Sequence, residues 1–140
     1  MDKYNHTQIG YLILYTLIAV IILFVNILIQ TGFDTTFLIA YALIIFLLAS
    51  FTTLTVKIDD TYLRIKFGYG IFRKKFKLSQ ITEVKTVKNH WYYGWGIRFW
   101  FWPRMVIYNV SGFDAVEIKM NGKTYRIGTD EPNKLEQALQ

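Results

Sequence analysis

Catalysis needs an acid, a base, a nucleophile or a metal ligand, so the residues able to supply one are weighed first. The chain has 140 residues, two histidines and no cysteine. Without cysteine there is no disulfide, no thiolate nucleophile and no cysteine metal site. His6 lies in a short N-terminal segment. His90 opens the stretch "HWYYGWGIRFWFWPRMVIYNVSG" with no carboxylate close to it in sequence, so Glu83 or Glu117 could serve it only if the fold brought them near. Asp59 and Asp60 are adjacent, and strand neighbours point to opposite faces, which makes them a poor metal pair. No G-x-S-x-G, H-E-x-x-H or P-loop pattern occurs. The residues therefore point away from an enzyme, and no cofactor or metal is expected. "FGYG" at 67–70 shares the Gly-Tyr-Gly of potassium selectivity filters, but a filter sits at membrane depth between helices. Here it follows both apolar runs and is flanked by Arg64, Lys66 and Arg73, so a hairpin turn is expected.

Two other concentrations of side chains remain. "RKKFK" is the densest basic run, and on a strand it puts Arg73, Lys75 and Lys77 on one face, with Phe72, Lys74 and Phe76 on the other. Beside an anionic leaflet each such cation contributes about 1 kcal/mol of attraction. As a solvated face the same charges would orient the chain in a membrane. The second concentration is aromatic. Between Arg98 and Arg104, the run Phe99, Trp100, Phe101 and Trp102 makes both faces of a strand aromatic, which a half-buried strand does not require. Together with Trp91, Tyr92 and Trp95 these rings call for apolar cover on each side. The domain's own core can cover one side; the headgroup layer, where Trp and Tyr gather and Arg reaches phosphates, can cover the other. Packing all of them in the core or against another protein subunit is the alternative. Nucleic acid is not expected as a partner, because stacking platforms need an open groove that a domain tethered to a bilayer is badly placed to offer.

What must position these groups is a membrane part followed by a β part. Residues 10–29 contain no charge, and at about 1.5 Å per residue they match a hydrocarbon core of roughly 30 Å. The uncharged run at 37–54 lies at the short end of a span. The expected layout is a tail at 1–8, transmembrane helices at 9–30 and 37–54 joined by an external turn at 31–36, and a domain at 55–140. A signal peptide fits less well, since the apolar core is long and no small-residue cleavage site follows it. All but one of the sixteen Lys and Arg lie from Lys57 onward, whereas the turn carries only Asp34. Cation-rich flanks stay in the cytoplasm, which predicts both termini inside.

Beyond the second run the apolar period becomes two. "LTVKI", "TYLRIKF", "IFRKKFKL", "TEVKTVK", "GIRFWF", "RMVIYNV", "AVEIKM" and "KTYRIG" read as short strands, with "DD" at 59–60 suited to a turn because Asp tolerates left-handed backbone, and "NG" at 121–122 suited to a type I′ turn. "GTDEPNKLEQALQ" reads as a closing helix capped by Thr129 or Asp130, with Leu135, Ala138 and Leu139 as its apolar stripe. Many short strands argue for a sandwich or a partly open barrel.

"YYGWGIR", followed by "YNVSGFDAVEIKMNGKTYRIGTDEPNKLEQAL", resembles the membrane-anchored bacterial PH-domain-like proteins, in which paired transmembrane helices precede a compact β-domain. The resemblance runs from Leu54 to the C-terminus. It implies an α+β membrane protein, in which a two-helix transmembrane hairpin is followed by a PH-like antiparallel β-sandwich capped by a C-terminal helix. It implies no established activity, and "FWFWPRMVI" departs from the family in being more aromatic. The expected function is a non-enzymatic binding or scaffolding module at the inner face of a prokaryotic cytoplasmic membrane. Its partners would be membrane lipids and a protein or a second copy of itself, met through Trp91, Tyr92, Trp95, Arg98, Trp100, Trp102 and Arg104 and through the basic surface of Arg73, Lys75 and Lys77. The alternative is a small transport or channel subunit whose helices are the working part. Neither apolar run holds an ionisable residue, which weighs against it.

Overall fold

The computed structural model describes residues 2–101 and 104–140. The apolar runs form two helices, α1 over Tyr11–Thr31 and α2 over Thr35–Ser50. The break between them is local: the Gly32 N–H closes on the Leu28 carbonyl (2.9 Å), and the Asp34 carboxylate accepts the Phe37 N–H (3.1 Å) to cap α2. The helices pack against each other, with Phe24 stacked on Tyr41 at 4.8 Å. At about 1.5 Å per residue, α1 is roughly 31 Å long and α2 roughly 24 Å, against a hydrocarbon core of roughly 30 Å. Among the described residues α1 is the one helix long and apolar enough to cross a membrane.

Among the described residues nine strands follow the chain in order: β1 Tyr4–Ile9, β2 Thr53–Ile58, β3 Tyr62–Phe67, β4 Phe72–Lys77, β5 Ile81–Lys88, β6 Gly96–Phe101, β7 Arg104–Asn109, β8 Asp114–Met120 and β9 Lys123–Gly128; helix α3, Pro132–Leu139, follows them. They form a four-stranded sheet in the order β1-β2-β3-β4 and a five-stranded sheet in the order β5-β8-β9-β7-β6. All pairings are antiparallel except β7 with β9. The sheets bury their facing sides together. Ile58, Leu63, Ile65 and Phe76 of the first meet Val116, Ile118 and Ile127 of the second, and Leu135 of α3 closes the same core. The strands after α2 thus lie where alternation placed them.

The N-terminus does not. Residues 1–8 were expected as a tail and the domain as starting at 55, yet Tyr4–Ile9 is a strand whose partner lies on the far side of both helices. Tyr4 pairs with Ile58 and the register runs to Ile9 with Thr53, after which the Gly10 N–H still bonds the Thr52 carbonyl at 2.7 Å. The helical pair is thus an insertion between two hydrogen-bonded strands. A Cβ on Gly10 would stand 2.7 Å from the Val110 carbonyl oxygen, so the second sheet packs directly on this junction. β1 escaped the periodicity test because its more buried side chains are Tyr4, His6 and Gln8, while Ile9 faces out.

Two turns form for reasons other than those expected. Asp59 does not use left-handed backbone, since Asn121 is the only non-glycine described residue with positive φ. Its carboxylate instead accepts the N–H groups of Thr61 and Tyr62, both at 2.8 Å, and pairs with Arg64 at 2.8 Å. At α3, Thr129 accepts the Glu131 N–H (3.0 Å) in the turn before the helix, and Glu131 occupies the cap position without its carboxylate capping a helix N–H. The "FGYG" segment is the β3–β4 turn, where Gly68 at φ +51 would push any Cβ to 2.6 Å from the Ser50 carbonyl oxygen.

Because Gly10 and Thr52 are already bonded neighbours, residues 11–51 can be replaced by Asn-Gly, a turn that suits adjacent antiparallel strands. The expected product is soluble and gives a dispersed amide NMR spectrum, whereas a chain starting at Val56, which lacks β1 and half of β2, gives a collapsed one. Equal dispersion from both chains would mean that β1 is dispensable to the fold.

Candidate functional site

The aromatic stretch splits into two sets. A 3-10 turn at Trp91–Tyr93 lays Tyr93 over Met105 and Ile107, forming a second small core that Trp100 joins from β6. The Tyr93 and Trp100 rings are 4.8 Å apart. Strand register explains the choice: Arg98 lies opposite Ile107 and Trp100 opposite Met105, while Ile97 lies opposite Tyr108 and Phe99 opposite Val106. Phe99 and Phe101 therefore extend the face that elsewhere forms the main core. β6 is the edge strand of its sheet, however, and they are left 72% and 88% exposed. Nearer the start of β6, Trp95 and Ile97 line a groove of about 400 Å³ with Leu12, Ile13, Leu48 and Phe51 at the base of the helices.

Of the residues singled out in the sequence, Trp91 is 76% exposed and Tyr92 is half exposed, its ring stacked on His90 at 5.0 Å. Trp95 packs near Phe113, and its indole N–H is buried without a partner among the described residues. Arg98 donates from Nε to the Trp95 carbonyl (3.0 Å), and Arg104 is exposed. Trp102 lies outside the described residues. The structure thus brings Tyr92, Tyr93, Arg98, Phe99, Trp100 and Phe101 around one shallow recess of about 340 Å³.

The basic surface is wider than β4. Arg73, Lys75 and Lys77 project outward from that strand, and the register sets Lys66 opposite Arg73, Arg64 opposite Lys75 and Lys57 opposite Arg64. Of these, Lys57, Arg64, Lys66, Arg73 and Lys75 line, with Thr55, an open groove of about 440 Å³ on the outer face of the first sheet, and Lys77 lies beyond it. Lys57, Arg64 and Lys66 were missed as parts of a surface because single cations on alternating strands look like ordinary solvent faces until register aligns them.

Several titratable groups away from this face are paired. Glu117 is buried, bonded by Arg126 Nε (2.9 Å) and approached by Lys85 (3.5 Å), and Arg126 also donates to Asn89 (3.1 Å). Glu83 pairs with Lys119 at 3.4 Å. Neither carboxylate is available to His90, which packs against the Tyr92 and Tyr93 rings. It is His6 that meets acids, with Asp130 at 2.6 Å and Glu131 at 3.6 Å. Tyr4 donates to Glu131 (3.1 Å), and burial together with that carboxylate pushes its hydroxyl pKa up. The Lys134 ammonium, followed by Tyr4 and His6, holds Glu131 below the usual carboxylate range. Burial raises Tyr108 to about 12. These contacts tie β1 to the loop before α3, a structural role that became visible only once β1 was a strand. No group of three or more His, Asp or Glu among the described residues is placed to hold a metal ion.

Two substitutions check the partition. Trp100→Ala should cost about 2 kcal/mol, less than a fully buried tryptophan because it is only partly covered, while Phe101→Ala should change stability by less than about 0.5 kcal/mol. Denaturant unfolding in detergent reads both, and equal losses would contradict the two-sided arrangement. For Asp59, the Thr61 and Tyr62 N–H groups and then Arg64 lower the pKa in the folded state. Its ionised form therefore adds stability that is present above the unfolded carboxylate pKa and lost as pH falls through the depressed value. Asp59→Asn should be less stable than the parent at pH 7 and converge with it in acid, measured by melting temperature against pH.

Compared with protein-family models, with curated proteins and with solved structures, the chain finds no match in any of the three, so its surfaces carry the functional reading unaided.

Proposed function

We propose that this chain is a non-enzymatic, membrane-anchored binding module. In this reading α1 and α2 cross the cytoplasmic membrane of a prokaryote as a hairpin, and a PH-like sandwich sits at its inner face. The observation that carries it is the β1–β2 ladder. β1 precedes α1, β2 follows α2, and the two strands are bonded neighbours. If α1 crosses a bilayer, the chain has to cross back before it can form β2, and α2 is the only helix between them. A 16-residue return helix is short by roughly 6 Å, a mismatch that bilayers absorb by local thinning. The same ladder argues against a cleaved signal sequence, since cleavage after α1 would detach β1 from its sheet. The excess of Lys and Arg beyond Lys57 favours a cytoplasmic domain.

The binding surface in this reading is the aromatic ledge of Trp91, Tyr92, Phe99 and Phe101, bordered by Arg98 and Arg104. Exposed aromatic groups next to arginine suit a protein partner or a second copy of the chain held near the same membrane. A transport role for the helices finds little support, because Asn26 is bonded to Gln30 of its own helix at 3.2 Å.

The absence of cysteine makes the topology directly testable. Phe33→Cys in the interhelical turn and Lys123→Cys at the β8–β9 turn each give a single label site. In intact bacterial cells an impermeant maleimide should label Phe33→Cys, and label Lys123→Cys only after lysis. Labelling of Lys123→Cys in intact cells, or recovery of the protein free of membranes, would overturn the reading.

A further inference from the structure

We infer that the outer face of the first sheet is a binding site for the phosphate groups of anionic phospholipids in the membrane that anchors the chain. The inference rests on the membrane-anchored reading and names a ligand for a surface separate from the aromatic ledge.

The first ground is charge placed against charge. Opposite side chains on antiparallel strands stand about 5 Å apart, and like charges there are destabilising. This face holds three such pairs: Lys57 with Arg64, Arg64 with Lys75, and Lys66 with Arg73. Asp2 reaches Lys57 (3.1 Å) and Asp59 reaches Arg64 (2.8 Å). Lys75 has only the face of Tyr62, at 4.3 Å, and Lys66, Arg73 and Lys75 have no acidic partner among the described residues. These three cations are adjacent, and together with Thr55 they line one open groove. Its chemistry fits an anion with several acceptor oxygens, which arginine can take in a bidentate fashion.

The second ground is position. The β3–β4 turn lies against the last turn of α2: the Tyr69 hydroxyl donates to the Phe46 carbonyl (3.0 Å), and the Tyr69 ring stacks on Phe46 at 5.5 Å. Lys66 and Arg73 are two and three residues from Gly68 and Gly70 at that turn. At about 3.3 Å per strand residue they lie within roughly 10 Å of the helix end, about one Debye length. Cations at that distance from an anionic leaflet are attracted to it, and Lys66 and Arg73 form the row nearest the helix end, with Lys75 in the next row. Tyr69 and Ile71, both more than half exposed, give the turn an apolar tip on the same side. A soluble phosphorylated compound would have the same acceptor chemistry, but it would derive no benefit from the closeness of the groove to the helix ends.

The test uses the full chain in neutral detergent micelles, with thermal unfolding followed by tryptophan fluorescence. Adding phosphatidylglycerol to the micelles should raise the melting temperature by about 3–6 °C at low salt, and 0.5 M NaCl should abolish the rise. Phosphatidylcholine should give no rise. The triple variant Lys66→Gln, Arg73→Gln, Lys75→Gln should melt no lower than the parent in neutral micelles, because three repelling charges are gone, and should lose the response to phosphatidylglycerol. An unchanged response in that variant would overturn the site, as would no response in the parent. Glycerol 3-phosphate, tested alone at millimolar concentration, should have no effect, and a rise equal to that from the lipid would replace the membrane source with a soluble one. Failure here with maleimide labelling as expected would remove the phospholipid site and leave the anchored module standing; failed labelling would remove both.

Discussion

The ladder between β1 and β2 is the constraint on which the rest of the structure depends. It joins segments that more than forty residues separate, and it fixes where both helices leave the first sheet. Thr7 and Thr55 extend it with a side-chain bond at 2.9 Å, and Lys57 adds an ion pair to Asp2. On its other side β2 carries β3 and β4, so the basic face inherits its register from the same ladder. The aromatic ledge is held indirectly, through the packing of Val110 and the start of β6 on the helix bases.

The two sheets divide the labour between charge and apolar surface. The outer face of the first sheet is cationic, whereas the second presents aromatic rings along its edge strand. Edge strands risk pairing with other chains, and here the β4 edge is dense in Lys and Arg, a common means of discouraging such pairing. β6 has no such protection: Phe99 and Phe101 continue the core face past the point where the first sheet stops covering it. Exposed rings on an unprotected edge are costly unless something covers them, and that gives the ledge its weight as a contact surface.

Most of the β-domain was legible because its buried face is made of aliphatic residues at period two, interrupted by turn chemistry as clear as Asn121-Gly122. β1 was not, because Tyr4, His6 and Gln8 turn inward and hydrogen bonding rather than hydrophobicity holds them there. The Asp59 turn was found in the right place through the wrong property, since its carboxylate organises the backbone from outside the chain path. Which aromatics are inside could not be read, because Trp100 and Phe99 differ only in which side of β6 they occupy. That depends on β7 lying parallel to β9, a pairing between distant segments that leaves no periodic trace. The basic face was half legible: β4 announced itself, and the cations of β2 and β3 gained meaning only through alignment.

The placement of β1 before the helices also has a consequence for synthesis. β1 leaves the ribosome before its partner and cannot be paired until both helices and then β2 have been made, so the sheet waits on its own insertion. In solution, closing so long a loop would carry a substantial entropic cost. For a chain inserted as proposed, the bilayer gathers the loop into two packed helices and presents Gly10 beside Thr52 before any strand bond forms. The membrane part then serves as the template on which the sheet begins, in addition to anchoring it.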